Sequence, residues 1–93
     1  MCGLAGFFSE TSLNAKAEES LRAMGRSLRH RGPDDEGVWI DSHAGVGLAH
    51  QRLSVVDLSV EGRQPMISAS GRYVMVYNGE VYNYLELRKK LDQ

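Results

Sequence analysis

Cys2 carries the most reactive side chain in the sequence and is its only cysteine. Removal of Met1 would leave Cys2 as the first residue, with a thiol and a free amine together. An α-amino group has an ordinary pKa of roughly 7.7–8.0 and a thiol one of roughly 8.5, so such an amine can take a thiol proton near neutral pH. This pattern is typical of a nucleophile that carries its own base. Position alone, however, favours the alternative, a small core residue.

A second group with chemical potential is the pair Asn78 and Gly79. Between apolar residues, Asn-Gly is the strongest short signal for a hairpin turn. Only three residues separate the pair from a helix predicted to begin near Asn83, which leaves little room for a second strand. We therefore interpret the Asn78 side-chain amide and the Gly79 backbone N–H as two donors of an oxyanion hole. Glycine suits this role because it lets a substrate approach its nitrogen closely.

Arg52 is the third candidate, and it follows a predicted strand that ends at His50. An arginine among apolar residues needs a partner, and a carboxylate bound through two hydrogen bonds is the best one. One hypothesis is that Arg52 binds the carboxylate of a ligand. The other is a structural ion pair with Asp57 or Glu61, and the spacing leaves both open.

The elements that must position these residues begin with a strand over residues 2–8, whose apolar run predicts burial on both faces. An amphipathic helix follows, capped by Asn14, and its apolar stripe consists of Ala17, Leu21, Met24 and Leu28. The helix is expected to end near residues 29–31, where Gly32 can adopt a left-handed cap conformation and Pro33 cannot continue the helix. A polar loop over residues 34–36 should follow.

The middle of the chain predicts a hairpin with strands at residues 37–41 and 45–50 and a turn at residues 42–44. Residues 59–65 predict a loop, residues 66–67 a strand, and Ser70 with Gly71 a turn. Residues 73–77 are apolar or aromatic throughout, which predicts a strand buried on both faces. The last helix has a predicted capping box formed by Asn83 and Glu86, with Tyr84, Leu87 and Leu91 on one face.

Length and charge limit the partners. The 93 residues contain 11 Lys and Arg against 12 Asp and Glu, a formal net charge of −1, without a long run of one sign. This balance argues against nucleic-acid and membrane partners. A single cysteine excludes an internal disulfide and favours a reducing, cytoplasmic location. His30, His43 and His50 match no known metal-ligand spacing, so we predict no metal site and three ordinary histidines.

Five segments together resemble class II glutamine amidotransferase domains, most closely those of asparagine synthetases. They occur in the family's order and span nearly the whole chain: MCGLAGF at residues 1–7, RHRGPD at 29–34, LAHQRLSVVD at 48–57, QP at 64–65 and YNGEVYN at 77–83. The resemblance implies an α+β fold of the N-terminal nucleophile hydrolase type, an αββα sandwich. Residues 1–93 would be the N-terminal part of that glutaminase domain.

The resemblance also implies residue roles. Cys2 would be the nucleophile, with Asn78 and Gly79 holding the oxyanion. Arg52 would bind the α-carboxylate of L-glutamine and Glu80 its α-amine. The remaining predicted substrate-binding residues are those that follow Arg52, namely Leu53, Ser54, Val55 and Val56.

By the same resemblance, the Cys2 thiol attacks the glutamine side-chain amide, forms a glutamyl thioester and releases ammonia; water then releases glutamate. This glutaminase half needs no cofactor. ATP and Mg²⁺ are expected only in a synthetase domain that would use the ammonia to make asparagine from aspartate. The pyrophosphate-binding loop of that domain is absent from residues 1–93, and so is an acidic residue that the family places downstream for the substrate amine.

Two other interpretations stay open at this point. The chain could be an inactive truncated or regulatory fragment, which is expected to be poorly stable, homo-oligomeric or partly disordered alone, because its helices and strands cannot cover a complete layered domain. It could instead belong to an amidotransferase that delivers ammonia to a sugar or a uronate. A glutaminase assay and the sequence of the acceptor domain would separate these from an asparagine synthetase.

Overall fold

A computed structural model describes residues 2–53, 62–79 and 81–93. These residues form two helices and two antiparallel sheets. In chain order the elements are β1 (Gly3–Phe8), α1 (Ala15–Ser27), a short 3-10 turn (Arg29–Arg31), β2 (Asp35–Asp41), β3 (Val46–Arg52), β4 (Met66–Ile67), β5 (Val74–Met75) and α2 (Tyr84–Leu91). The mixed composition confirms the predicted α+β class at this coarse level.

The larger sheet has the strand order β1-β3-β2, so β3 is its central strand. β2 and β3 form the predicted hairpin, whose turn ends at Gly45 with a φ of 77°. Both strands are longer than predicted, because Asp35 pairs with Arg52 and Glu36 with Gln51. The predicted polar loop over residues 34–36 is therefore wrong for its last two residues. Their polarity indicated a loop, but the continuing partner strand decides their conformation.

Helix α1 covers one face of this sheet. Leu21 is fully buried, and its side chain lies against Gly47 of β3, where a Cβ would lie 3.1 Å from Leu21 Cδ2. Gly25 faces Ala49, itself 1% exposed, at a distance that would place a Cβ in ordinary van der Waals contact with it, 3.5 Å away. The predicted N-cap is confirmed, since Asn14 Oδ1 accepts a hydrogen bond from the Lys16 N–H at 3.0 Å. The contacts of Leu21 and Gly25 with β3 make the interface of α1 with β3 the core of the described chain.

Gly32 ends the turn after α1 in an extended conformation with a φ of −157°, so the predicted left-handed cap is wrong. The reason for glycine here is a close approach of two backbone segments. A Cβ at this position would lie 2.5 Å from the Gln51 carbonyl oxygen and 2.6 Å from the Arg52 carbonyl carbon. Gly32 therefore lets the loop before β2 lie directly on the end of β3.

Among the described residues, the other face of the sheet is covered at one end only. Leu4 and Phe8 of β1 point away from α1 and are exposed, with Phe8 at 75%. The prediction that residues 2–8 are buried on both faces is therefore wrong for the described chain. Covering residues come from the segment before β4, where the Gln64 carbonyl and the Pro65 ring lie against Gly37 of β2. Arg63 anchors this segment through an ion pair with Asp35 at 2.6 Å.

Strands β4 and β5 pair as a two-stranded sheet with a turn at Gly71, whose φ is 75°. The predicted strand at residues 66–67 and the turn at Ser70 and Gly71 are confirmed. β5 contains only Val74 and Met75 of the five residues predicted, and Tyr73 beside it is 64% exposed. Burial of residues 73–77 on both faces is thus wrong for the described chain, because only β4 lies beside them.

Helix α2 has no buried residue along its length. Asn83 occupies the N-cap position, yet its side chain accepts no capping hydrogen bond, so the predicted capping box with Glu86 is wrong. The apolar residues Leu87 and Leu91, predicted to share one face, are both exposed.

Candidate functional site

Cys2 lies immediately before β1, at the end of the sheet where β3 finishes. Its sulfur accepts a hydrogen bond from the Leu53 N–H at 3.3 Å and lies 3.7 Å from the Leu53 carbonyl, to which the thiol can donate. The Cys2 carbonyl accepts a hydrogen bond from Arg31 Nε at 3.1 Å. The two contacts with Leu53 span 51 residues of sequence and hold a half-buried thiol beside the residue that follows Arg52.

Arg52 is the last residue of β3 and is only 7% exposed. Its backbone is held on one side by its register partner Asp35 and by the Asp34 N–H, which donates to the Arg52 carbonyl at 2.9 Å. Strand alternation puts its side chain on the face opposite α1. The structural partners proposed for it, Asp57 and Glu61, lie outside the described residues.

The register explains why Cys2 and Arg52 meet. Gly3 pairs with Gln51, so the residues just beyond this pair, Cys2 and Arg52, lie next to each other at one end of the β1–β3 ladder. Antiparallel partners of this kind have side chains on the same face. Two residues predicted from separate motifs are thus neighbours.

Tyr77, the residue before Asn78 and Gly79, contacts the face of the sheet that carries the Arg52 side chain. The Tyr77 carbonyl accepts a hydrogen bond from His50 Nε2 at 3.1 Å, and the Tyr77 N–H donates to Gln64 Oε1 at 2.6 Å. Asn78 and Gly79 are exposed, and the element that follows them in the described chain is α2. This absence of a following strand agrees with the prediction that the pair is not a hairpin turn.

Gly79 has a φ of 154°, within the range that glycine adopts readily and other residues rarely do. The side on which a Cβ would stand is occupied by the ring of Tyr77, whose hydroxyl oxygen would lie 2.8 Å from it. Glycine is therefore favoured here by its conformation, and a larger residue would also have to displace the outer end of the Tyr77 side chain.

His50 is a buried residue of the site that sequence reasoning did not identify. It is 1% exposed and lies on β3 two residues before Arg52, on the same face. Burial lowers its pKa below the usual 6.5, and the positive charge of Arg52 adds to this effect; the Tyr77 carbonyl and Asp35 act in the opposite direction. His50 is therefore neutral at pH 7. Its spacing of two from Arg52 on a strand was the signal that could have revealed it.

Several predicted residues cannot be placed. Ser54, Val55, Val56 and Glu80 lie outside the described residues, so their substrate-binding roles stay predictions. Leu53 is described, and its backbone contacts the Cys2 sulfur from both the N–H and the carbonyl.

Other surfaces of the described chain lie apart from this group. A shallow polar pocket between α1 and β2 includes Arg22, Arg26 and Glu36, and none of the predicted site residues. Over residues 2–53, 62–79 and 81–93, no three His, Cys, Asp or Glu side chains are grouped so as to hold a metal ion. Within the same ranges, neither helix has the length and apolarity needed to cross a membrane.

Comparison with known proteins identifies relatives of the whole chain. A profile described as the glutamine amidotransferase domain matches residues 1–93. Asparagine synthetase [glutamine-hydrolyzing] 1 of Bacillus subtilis is 40% identical over 99% of the chain, and synthetase 2 of that organism is 43% identical over 98%. A protein named Amidase chry2 from Gibberella zeae is 37% identical over 98% of the chain.

The chain spans only 14%, 12% and 15% of the length of these three relatives. Its likeness to asparagine synthetases at about 40% identity confirms the predicted resemblance. Since the profile covers every residue, the chain belongs to the glutamine amidotransferase domain family.

Proposed function

We propose that residues 1–93 are the N-terminal part of a glutaminase domain that hydrolyses L-glutamine to glutamate and ammonia through a thioester on Cys2. The observation that carries this proposal is the contact of the Cys2 sulfur with the Leu53 backbone, directly after the buried Arg52. A nucleophile and a cation suited to a substrate carboxylate lie at one end of one sheet. Membership of the family supplies the substrate class.

In the first half-reaction the Cys2 sulfur attacks the side-chain amide carbon of glutamine. The Cys2 α-amine, freed by removal of Met1, takes the thiol proton and passes it to the departing nitrogen, so that the C–N bond breaks and ammonia leaves. The Asn78 amide and the Gly79 N–H stabilise the negative oxygen that develops on the carbonyl. A glutamyl thioester remains on Cys2.

In the second half-reaction the same α-amine accepts a proton from water, and the hydroxide attacks the thioester carbon. The C–S bond breaks, glutamate leaves and the thiol recovers its proton. The oxyanion forms in the same place as before, so the same two donors serve both steps. With Met1 retained, the amine would be a peptide nitrogen without basicity, and neither step would proceed.

Substrate binding is assigned to residues around Arg52. Its guanidinium would bind the glutamine α-carboxylate through two hydrogen bonds, an arrangement suited to a buried arginine at the end of a strand. Leu53, Ser54, Val55 and Val56 would line the rest of the pocket with their backbone groups. Glu80 would bind the substrate α-amine.

The ammonia would be used by an ATP-dependent synthetase domain that makes asparagine from aspartate. Two relatives at about 40% identity carry the name glutamine-hydrolysing asparagine synthetase, and the chain matches only a small part of each. The layered α1, three-stranded sheet and β4–β5 sheet would be the first layers of an αββα sandwich. ATP and Mg²⁺ belong to the second domain in this proposal.

The test is the release of glutamate from L-glutamine by the chain after removal of Met1, verified by intact mass. We expect Cys2→Ala to abolish turnover while glutamine binding, measured by calorimetry, persists. Ser20→Ala, an exposed change on α1, is the control and should leave turnover unchanged. Undiminished turnover in Cys2→Ala would exclude the proposed nucleophile.

A further inference from the structure

The main chain of Tyr77 is held from both sides by side chains of other segments. Gln64 Oε1 accepts from its N–H at 2.6 Å, and His50 Nε2 lies 3.1 Å from its carbonyl oxygen. Gln64 precedes β4, whereas His50 belongs to the central strand of the larger sheet. Tyr77 is therefore held at a fixed position relative to β3, although its own side chain is exposed.

The partner of His50 determines its tautomer. A carbonyl oxygen can only accept, so Nε2 must carry the hydrogen and Nδ1 must carry a lone pair when the ring is neutral. Nδ1 is buried without a hydrogen-bond partner among the described residues. A proton on Nδ1 would be buried near the Arg52 charge, which disfavours the cation. The ring is thus a neutral donor aimed at one acceptor.

We propose that His50 is a positioning residue for the oxyanion hole, acting through the Tyr77 carbonyl on Asn78 and Gly79. The inference rests on the proposed function, which assigns those two residues as donors. The Tyr77 carbonyl and the Asn78 nitrogen belong to one rigid peptide plane. A hydrogen bond that fixes this carbonyl therefore also fixes the position of the Asn78 backbone nitrogen. Gln64 fixes the preceding peptide plane through its bond to the Tyr77 N–H.

The position of His50 on β3 gives this contact a further consequence. His50 and Arg52 are separated by one residue of the same strand, and each is flanked by β2 through its register partner, Gly37 for His50 and Asp35 for Arg52. One rigid strand therefore positions both the proposed carboxylate site and the backbone of Tyr77, which precedes the two oxyanion donors. The distance between the two ends of bound glutamine would be fixed by β3 rather than by the exposed loop.

The kinetic test compares His50→Leu, which removes the donor, with His50→Gln, whose amide nitrogen can occupy the place of Nε2. His43→Leu in the exposed hairpin turn is the matched control. In the full chain without Met1, we expect His50→Leu to lower kcat for glutamine about 10- to 100-fold, with KM changed less than about threefold. His50→Gln should recover most of kcat, and His43→Leu should match the parent.

A ligand comparison separates positioning from general damage. Glutamate γ-semialdehyde forms a tetrahedral adduct with the thiol and needs the oxyanion donors, whereas glutamate does not. His50→Leu should weaken the aldehyde by about the same factor as kcat and leave glutamate affinity within about threefold. An equal loss of affinity for the aldehyde and for glutamate, or an unchanged kcat, would refute the positioning role of His50.

A structural readout keeps the inference independent of turnover. Amide ¹⁵N relaxation of Asn78 and Gly79 should show order parameters falling from about 0.85 toward about 0.6 in His50→Leu and Gln64→Leu, with recovery in His50→Gln. Unchanged order parameters in both Leu variants would refute the positioning of Asn78 and Gly79 by His50 and Gln64. If the parent chain bound glutamine without hydrolysing it, the proposed function would fail, while relaxation would still decide whether His50 orders these residues.

Discussion

The end of β3 and the segment over residues 62–79 carry different halves of the proposed site, and they are held by different forces. Arg52 lies on a central strand with partners on both sides and is nearly buried. Asn78 and Gly79 are exposed and follow a strand of two residues. The first half is positioned by packing and a full ladder of backbone bonds. The second depends on a few side-chain bonds to single backbone groups.

The two halves should therefore respond to different perturbations. Core changes near α1 and β3 should alter the stability of the chain and both halves of the site together. Changes in residues 62–93 should alter oxyanion stabilisation, with smaller effects on global stability than changes in the core. Matched pairs of variants test that separation.

The largest effect is expected from Leu21→Ala in the packed half. Leu21 of α1 is fully buried against Gly47 of β3, so its truncation removes apolar contacts and leaves a cavity. Urea denaturation should show a loss of about 2–5 kcal/mol in the free energy of unfolding. The matched change Leu87→Ala on the exposed α2 should cost less than about 0.5 kcal/mol. Equal losses in the two variants would refute the contrast between the regions.

Gly32→Ala should have the next largest effect. The new methyl group would collide with the backbone of Gln51 and Arg52, so the loop or the end of β3 must move. We expect a loss of about 1–3 kcal/mol in the free energy of unfolding, together with a higher KM for glutamine.

Gly71→Ala is the comparison for Gly32→Ala, since a Cβ there meets no atom within 4 Å but the φ of 75° disfavours alanine. It should cost about 1 kcal/mol and leave KM unchanged. A raised KM in Gly71→Ala alone would contradict the assignment of the substrate site to the end of β3.

The two helix N-caps provide a smaller and sharper comparison. Asn14 accepts a capping hydrogen bond, whereas Asn83 in the equivalent position of α2 accepts none. Asn14→Ala should therefore destabilise the chain by about 1 kcal/mol, and Asn83→Ala should leave the free energy of unfolding close to that of the parent. The measurement is a pair of urea transitions under identical conditions. A larger loss in Asn83→Ala would show that α2 is stabilised by its cap after all.

The most gradual effect is a pH dependence that comes from His50. Because burial lowers its pKa in the folded chain, the unfolded chain binds a proton more readily once the pH falls below about 6.5. The free energy of unfolding should therefore decrease as the pH falls from about 6.5 toward the lower folded-state pKa, and His50 should contribute no slope above about pH 6.5. His50→Gln should remove this part of the slope, and His43→Gln should keep it. An identical pH profile in His50→Gln would contradict the buried, neutral state.

The sequence predicted the core elements well where local pattern and tertiary contacts agree. The helix with its Asn14 cap and the β2–β3 hairpin fall into this class, because periodicity, cap and turn all indicate the same elements. Asp35 and Glu36 were assigned to a loop since they are polar, yet pairing with β3 holds them in a strand. Gly32 was given a conformational role, and only the folded chain reveals the close approach that excludes a side chain.

The residues of the candidate site could be predicted from the sequence, but the contacts that position them could not. Motifs identified Cys2 and Arg52 separately, and the register of β1 against β3 makes them neighbours. His50 was interpreted as ordinary because the three histidines match no metal-ligand spacing. Its partner in the structure is a backbone carbonyl 27 residues away, which the sequence does not indicate. Contacts of this kind depend on the tertiary structure, which local sequence patterns do not predict.

The bond between the Leu53 N–H and the Cys2 sulfur has a consequence for how the chain folds. The hairpin β2–β3 is local, whereas β1 must close a long loop before it can lie beside β3, so we expect the hairpin to form first and β1 to join it later. Cys2, although it is synthesised near the start of the chain, would then be among the last residues to reach its native neighbours. Until that step, the thiol lacks its neighbours near Arg52, and a newly made chain would acquire a competent nucleophile only on completion of the sheet.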